Sequence, residues 1–263
     1  MAASFGGGTI KNLSTGNGGV TTLPVGGITT AGTQTYGDAV TLGVGTTVLT
    51  SSGAGNAGNI TFGSTINGTT ANTEYFEVDT QGTTTFGGSI GLGSDGIYGG
   101  DDKNLAVLVT NPGGVTILSG GTVFVTDLIF SDTVILGNGT VIKGINVDFN
   151  GETAILGGGN SLTLSSTGQT VIGGNVSGVS SLIRDVGTTV FEAWFSGIPP
   201  QTVTTIGAQV YSGAIELVYD AVFTGSNITS LTTPINVPGT TTALTIPGIT
   251  TVTGKTLTVN IVP

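Results

Sequence analysis

Fifteen acidic and five basic residues, with no His and no Cys in 263, bound the chemistry open to this chain. Without imidazole or thiol there is no Ser-His-Asp or Cys-His nucleophile and no ordinary zinc site. Carboxylates remain. Glu74, Glu77 and Asp79 fall within one short stretch, and on a strand of period two Glu77 and Asp79 project from the same face. Two carboxylates so placed suit glycoside hydrolysis or an ion, while the plainer reading is a solvated outer face. Asp127 and Asp132 form a weaker pair, with Asp132 read as a strand-end residue beside a turn. Asp95, Asp101, Asp102 and Asn104 sit in the Gly-rich stretch GSDGIYGGDDKN and carry the hard oxygen ligands that calcium takes. Their spacing is neither that of an EF-hand nor a complete G-G-x-G-x-D repeat, so an exposed turn is the plainer alternative. Calcium at Asp95, Asp101 and Asp102 is the one metal expectation. No catalytic residue and no other cofactor is assigned, and the chain is expected not to be an enzyme.

The formal net charge is −10, and the five cations, Lys11, Lys103, Lys143, Arg184 and Lys255, are scattered singly. Nucleic-acid binding needs clustered Lys and Arg to displace counterions, and anionic lipid surfaces need the same. Neither a nucleic acid nor a membrane is an expected partner. A polysaccharide lyase, which works on acidic sugar with basic side chains, is poorly equipped here, since the sole Arg is followed at once by Asp185. Met1 runs into Ala-Ala-Ser-Phe without a basic or an apolar signal region, so either export uses another route or the chain is a piece of a longer one. Its longest apolar runs fall short of the roughly 20 residues that cross a bilayer as a helix.

The elements that must position these groups are strands. With 48 Gly, abundant Thr, 8% charged and 37% hydrophobic residues, the chain lacks a helix-forming run but is too apolar for disorder. It also repeats itself. TTAGTQTYGDAVTL (Thr29 to Leu42) matches TTIGAQVYSGAIEL (Thr204 to Leu217) at an offset of 175, pairing Gln34 with Gln209 and Tyr36 with Tyr211. VFVTDLIFSDTVIL (Val123 to Leu136) fits between them more loosely, with Phe130 at the Tyr position and Asp132 under Asp38. YFEVDTQGTTTFGGSIG (Tyr75 to Gly91) matches SLTLSSTGQTVIGGNVS (Ser161 to Ser177) at an offset of 86, with Gly82 on Gly168 and Phe86 on Ile172.

Within each unit, short strands of period two such as Val40-Thr41-Leu42 and Leu162-Thr163-Leu164 alternate with Gly, Asn-Gly and Gly-Gly turns. Such strands are too short for stable independent hairpins but suit coils that stack on one another. The expected fold is all-β, a parallel β-solenoid with coils of roughly 20 residues. Alternate Val, Ile, Leu and Phe fill its interior and Thr faces out. The rival is an antiparallel β-sandwich or jelly roll, in which Asn67-Gly68, Asn138-Gly139 and Asn150-Gly151 are type I′ hairpin turns.

The solenoid is expected over residues 1–190, with repeat units at about 28–91 and 122–178. Residues 191–202, which hold Trp194 and the pair Pro199-Pro200, read as a junction loop or cap. Residues 203–263 read as a degenerate third repeat or a small C-terminal β domain. The Asn-x-Ser/Thr triplets at Asn12, Asn59, Asn67, Asn138, Asn175 and Asn227 are glycan acceptors where the host has the machinery. The Thr runs 83–85 and 240–242 suggest outward Thr rows, which on a flat solenoid face order water and bind ice.

ITTAGTQTYGDAVTLG, NITFGSTING and VDTQGTTTFGGSIG resemble repeats of large bacterial surface and secreted proteins of the filamentous-haemagglutinin and autotransporter-passenger type. The resemblance covers Ile28 to Gly91 best, then Thr122 to Gly178, then Thr204 to Leu217. It implies a right-handed parallel β-helix outside the cell, at the cell surface or secreted, used for adhesion or for building a fibre, sheath or surface layer. The expected partners are further copies of the chain and surface glycans. Two other functions are open at this point: a carbohydrate-binding or carbohydrate-cleaving β-helix, with Tyr75, Tyr98 and Trp194 beside the acidic residues of a groove, and an ice-binding β-solenoid.

Overall fold

A computed structural model describes residues 10–93, 102–151, 154–192, 200–230, 249–251 and 257–261. The chain divides into two units, Met1–Asp132 and Thr133–Pro263. Among the described residues there is no α-helix, and no helix is long and apolar enough to cross a membrane.

In the first unit each coil passes through three short strands that belong to three different parallel sheets. The first face stacks Leu13–Ser14, Gln34–Tyr36, Ile60–Phe62, Thr83–Phe86 and Val115–Leu118. The second stacks Val20–Leu23, Ala39–Leu42 and Ile66–Gly68, continued by bridges through Ile90 and Val123. The third stacks Ile28–Thr30, Gly45–Ala54, Glu74–Gln81, Leu105–Thr110 and Thr122–Phe130. This is a β-solenoid. Leu13 pairs with Gln34 across 21 residues, close to the expected coil, whereas Thr83 pairs with Val115 across 32. The longer coils hold their extra residues at corners. One carries the 3₁₀ turn Gly55–Gly58, and another carries the Gly-rich excursion, of which residues 94–101 lie outside the described ones.

The second unit repeats the arrangement. Its first strands are Thr133–Leu136, Ile155–Leu156, Val176–Val179, Gln201–Thr205, Ala221–Gly225 and Leu257–Ile261. Its second strands are Thr140–Gly144, Leu162–Ser166, Leu182–Arg184, Ala208–Tyr211 and Asn227–Ser230. Its third strands are Asn146–Phe149, Gln169–Ile172, Thr188–Phe191, Ile215–Leu217 and Ile249–Thr251. The strands after residue 200 therefore pair in parallel with those before 192; Trp194 and Pro199 lie outside the described residues.

Every ladder described is parallel, which removes the antiparallel sandwich. The Asn-Gly pairs that this alternative needed as hairpin turns do other work. Asn67-Gly68 lies inside a strand, and Asn138-Gly139 joins strands of two different sheets.

The interior follows from period two and close stacking. Alternate side chains point inward, and because parallel strands lie about 4.8 Å apart, identical positions of successive coils form columns. Tyr36, Phe62 and Phe86 make such a column in the first unit. Their rings are 5.2 and 5.4 Å apart and within 9° of parallel, and Phe76 meets Phe62 edge-on at 5.7 Å. In the second unit Phe223 lies 4.8 Å from Phe191 and 5.6 Å from Tyr211. Phe62 is fully buried within three other rings, so Phe62→Ala should remove about 3–5 kcal/mol of stability. Phe62→Leu should remove less; the midpoints of denaturant unfolding compare the two variants.

Candidate functional site

The carboxylates that stand together in the sequence separate in space. On the strand Glu74–Gln81, Phe76, Val78 and Thr80 point inward, and Glu74 points with them. Its Oε1 accepts the backbone N–H of Thr69 (3.0 Å) and of Thr70 (3.1 Å) and the Thr69 hydroxyl (3.0 Å), so this carboxylate pins the turn before its own strand. Glu77 and Asp79 do share the outward face, together with Tyr75. Glu77 accepts the Tyr75 hydroxyl at 3.0 Å through Oε2 and the Asn111 carboxamide N–H at 2.7 Å through Oε1. The rungs beside Glu77 are aliphatic: Val48 on one side, Val109 on the other and Ile129 beyond. Glycosidase carboxylates face each other across the scissile bond, whereas Glu77 and Asp79 stand side by side on one strand. Tyr98 and Trp194, expected beside them, lie outside the described residues.

Asp127 and Asp132 are also apart. Asp127 stands on the outward side of its strand, in register with Val107. Asp132, read from sequence as a strand-end residue beside a turn, is 6% exposed, and its Oδ1 accepts the hydroxyls of Thr110 and Thr116, both at 2.9 Å. Burial pushes its carboxyl up from 3.8 to about 6, and the two hydroxyl donors hold it below where burial alone would put it. Of the expected calcium ligands, Asp95 and Asp101 lie outside the described residues and Asp102 is half-buried. Asn104 is buried and occupied: its carboxamide donates to Asn72 Oδ1 and Thr126 Oγ1, and its carbonyl accepts the Asn72 N–H at 2.8 Å. Among the described residues no group of three or more His, Cys, Asp or Glu side chains could hold a metal ion.

What sequence reasoning missed is a set of buried polar side chains at the corners. A corner breaks the ladder, leaving backbone groups that must find partners or lose stability. Gln34 Nε2 donates to the Thr50 carbonyl at 2.9 Å, and its Oε1 accepts the Tyr36 hydroxyl at 2.7 Å. Gln209 does the same in the second unit: Nε2 donates to the carbonyls of Thr224 (2.9 Å) and Val203 (3.1 Å), and Oε1 accepts the Tyr211 hydroxyl at 3.1 Å. Thr30 and Thr205 each donate to the carbonyl of the Gly two residues on, at 2.5 and 2.7 Å. The repeated Thr-x-Gly-x-Gln-x-Tyr is thus a corner module. Gln201 plugs another corner, its Nε2 reaching the carbonyls of Ile172 and Gly174, both at 2.7 Å.

Arg184 is the least expected member. It is 1% exposed, inside the second unit, with Nη1 3.3 Å from the Leu164 carbonyl and Nη2 3.4 Å from that of Gly168. Its Nε–H has no acceptor. Burial pulls the guanidinium down to about 10, against a smaller opposing pull from Asp185, so it stays charged at neutral pH. Gly187 completes this corner at φ +77°, where a Cβ would lie 2.2 Å from the Gly168 carbonyl.

Outside, Asn replaces Gln as the polar partner of the backbone. Asn12, Asn59 and Asn175, expected as glycan acceptors, point Oδ1 at an N–H of the next coil: Thr33 at 3.0 Å, Thr83 at 2.8 Å and Thr202 at 2.8 Å. Asn67 bonds Gly93 at both ends of its carboxamide, Oδ1 accepting the Gly93 N–H and Nδ2 donating to the Gly93 carbonyl, both at 3.1 Å. The Asn227 side chain is outside the described set. The Thr83-Thr84-Thr85 run splits, with Thr84 buried and the others outward. Thr35, Thr61 and Thr85 do form an outward in-register row, ended by Ile117; Thr240 to Thr242 lie outside the described residues.

Comparison with protein-family models, with curated proteins and with solved structures finds no match. The geometry therefore stands alone, and it yields two expectations. Replacing Gln209 by Leu strands two carbonyls and the Tyr211 hydroxyl, and should cost about 2–4 kcal/mol in denaturant unfolding; Tyr211→Phe, which frees one acceptor, should cost about 1 kcal/mol. The folded state binds the Asp132 proton more tightly than the unfolded chain does. This group thus adds stability that is complete below pH 3.8 and is lost as pH rises through about 6. The difference is worth at most about 3 kcal/mol. Between pH 4 and pH 7 the wild type should therefore lose stability relative to Asp132→Asn, read as the difference in unfolding midpoints across that range.

Proposed function

We propose that the protein is a non-enzymatic structural or adhesive solenoid of the filamentous-haemagglutinin and autotransporter-passenger kind, working outside the cell and associating with copies of itself. The observation that carries this reading is where the polar groups are used. Glu74, Asp132, Gln34, Gln201, Gln209 and Arg184 are turned inward to hold corners together. The outward rungs of the first unit's first face are uncharged: Ser14, Thr35, Thr61, Thr85 and Ile117 in one row. A weakly charged, regular side of this kind suits broad, repetitive contact better than capture of one small molecule. Purified protein should show concentration-dependent association in light scattering, with filaments or laterally joined rods in electron micrographs. A strictly monomeric species at high concentration and low salt overturns self-association.

A carbohydrate-binding role is the second reading, favoured by the Tyr75–Glu77–Asn111 hydrogen-bonded trio on the outward third face. A half-buried, outward-facing ring beside a fixed carboxylate and carboxamide matches the stacking and hydroxyl recognition that sugars require. On a glycan array the Tyr75→Ala and Glu77→Gln variants should lose any signal the wild type gives. Retention of that signal by both variants removes this face as its source, and release of reducing sugar would point to cleavage.

A further inference from the structure

Four Asn-Gly pairs occur in the chain, beginning at Asn17, Asn67, Asn138 and Asn150. An asparagine followed by glycine can lose its side-chain amide to its own backbone, because glycine leaves the next peptide nitrogen unshielded. The nitrogen must be free of the ladder and close to the carboxamide carbon, and the structure separates the four sites on these grounds.

At Asn67 the reaction is blocked. Both ends of its carboxamide are bonded to Gly93, and the Gly68 N–H is committed to the Lys103 carbonyl at 2.9 Å. At Asn150 the carboxamide oxygen is buried and Gly151 is buried beside it. Asn17 is exposed in a turn, but no hydrogen bond folds its carboxamide back onto Gly18. Asn138 is exposed as well, at the corner between Thr133–Leu136 and Thr140–Gly144, and there the contact is made. The Gly139 N–H donates to the Asn138 Oδ1 at 2.8 Å, which places Cγ no more than about 4 Å from the attacking nitrogen. The Thr140 hydroxyl donates at 3.0 Å to the Asn138 backbone carbonyl, the other end of the same peptide group. A donor on that oxygen stabilises the amidate that forms when the peptide nitrogen loses its proton.

We propose that Asn138 is a site of spontaneous backbone modification, with Thr140 as its positioning residue. The Gly139 nitrogen gives up its proton to hydroxide and bonds to the Asn138 Cγ. The Cγ–Nδ2 bond breaks as Nδ2 takes a proton from water, which regenerates hydroxide, and departs as ammonia, leaving a five-membered succinimide. Water then opens the ring at one carbonyl or the other, giving aspartate or isoaspartate. Either product adds a negative charge to the corner. The isoaspartate also lengthens the main chain by one methylene just before Thr140, whose N–H enters the ladder on the Ser161 carbonyl at 2.9 Å. The second unit thus carries a corner that ages chemically, while the equivalent dipeptide at Asn67 is held inert by its neighbouring coil.

The test is peptide mapping by mass spectrometry of the folded protein held at mildly alkaline pH, with isoaspartate identified by enzymatic methyl transfer. Asn138 should convert roughly tenfold or more faster than Asn67 and faster than Asn17, with a rate that rises with hydroxide. Thr140→Val, close in shape, should slow Asn138 and leave Asn17 unchanged. In denaturant the four sites should converge, and the Thr140→Val difference should shrink. Conversion of Asn138 no faster than Asn67 or Asn17 in the folded protein overturns the proposal, and an unchanged rate in folded Thr140→Val overturns the role of Thr140.

Discussion

A coil of parallel strands satisfies its backbone along each face and fails to do so at each corner, and most of the unusual features of this protein answer that failure. At a corner the chain changes sheet, the ladder stops, and N–H and C=O groups face an interior too narrow to admit much solvent. Leaving such a group unpaired costs on the order of 1–3 kcal/mol, and a solenoid meets the problem at every turn. Here the donors and acceptors come from side chains folded inward. Gln34 and Gln209 cap carbonyls and are themselves held by Tyr36 and Tyr211, Glu74 receives N–H groups, and Arg184 spans two carbonyls.

The same constraint explains the electrostatics. Buried charges in an ordinary core are paired with an opposite charge, because desolvation is otherwise severe. Arg184 is buried without a hydrogen-bonded carboxylate; burial lowers its affinity for the proton, the nearby charge of Asp185 offsets this only in part, and two backbone carbonyls accept its N–H groups. Asp132 is the mirror case, held by two threonine hydroxyls and raised by burial. Acidic residues that sequence proximity groups as a site are thereby dispersed, some into corners and some onto the outer face. Those in the corners hold backbone groups and hydroxyls, which is why the proposed function rests on the faces of the coils and not on a cleft.

The aromatic columns depend on the corners as well. Tyr36, Phe62 and Phe86 stack because each coil returns to the same face in register, and register holds only if the intervening corners close with fixed geometry. Extra residues are therefore admitted at corners, as at Gly55–Gly58, where they lengthen the coil without shifting the column.

Much of this was legible in the residues. Period-two strands, Gly at the turns and the 175- and 86-residue self-matches identify a stacked β architecture, because those signals are local and each coil restates them. The outward placement of Glu77 and Asp79 follows from the same periodicity. The corner roles were hidden. A Gln between two threonines and an Asp after a Ser read as surface residues when only neighbours in sequence are considered, and glycan-type triplets at Asn12, Asn59 and Asn175 read as acceptors. Their partners lie 16 to 27 residues away, across the same coil or on the adjoining one.

The sequence by itself thus determined the kind of fold and which side chains alternate inward along each strand, since both depend on interactions within a few residues. Only the tertiary structure decided which carboxylates and carboxamides are available to solvent and which close a corner. That choice depends on which unpaired backbone groups the next coil brings within reach, and the sequence of one coil does not contain that information.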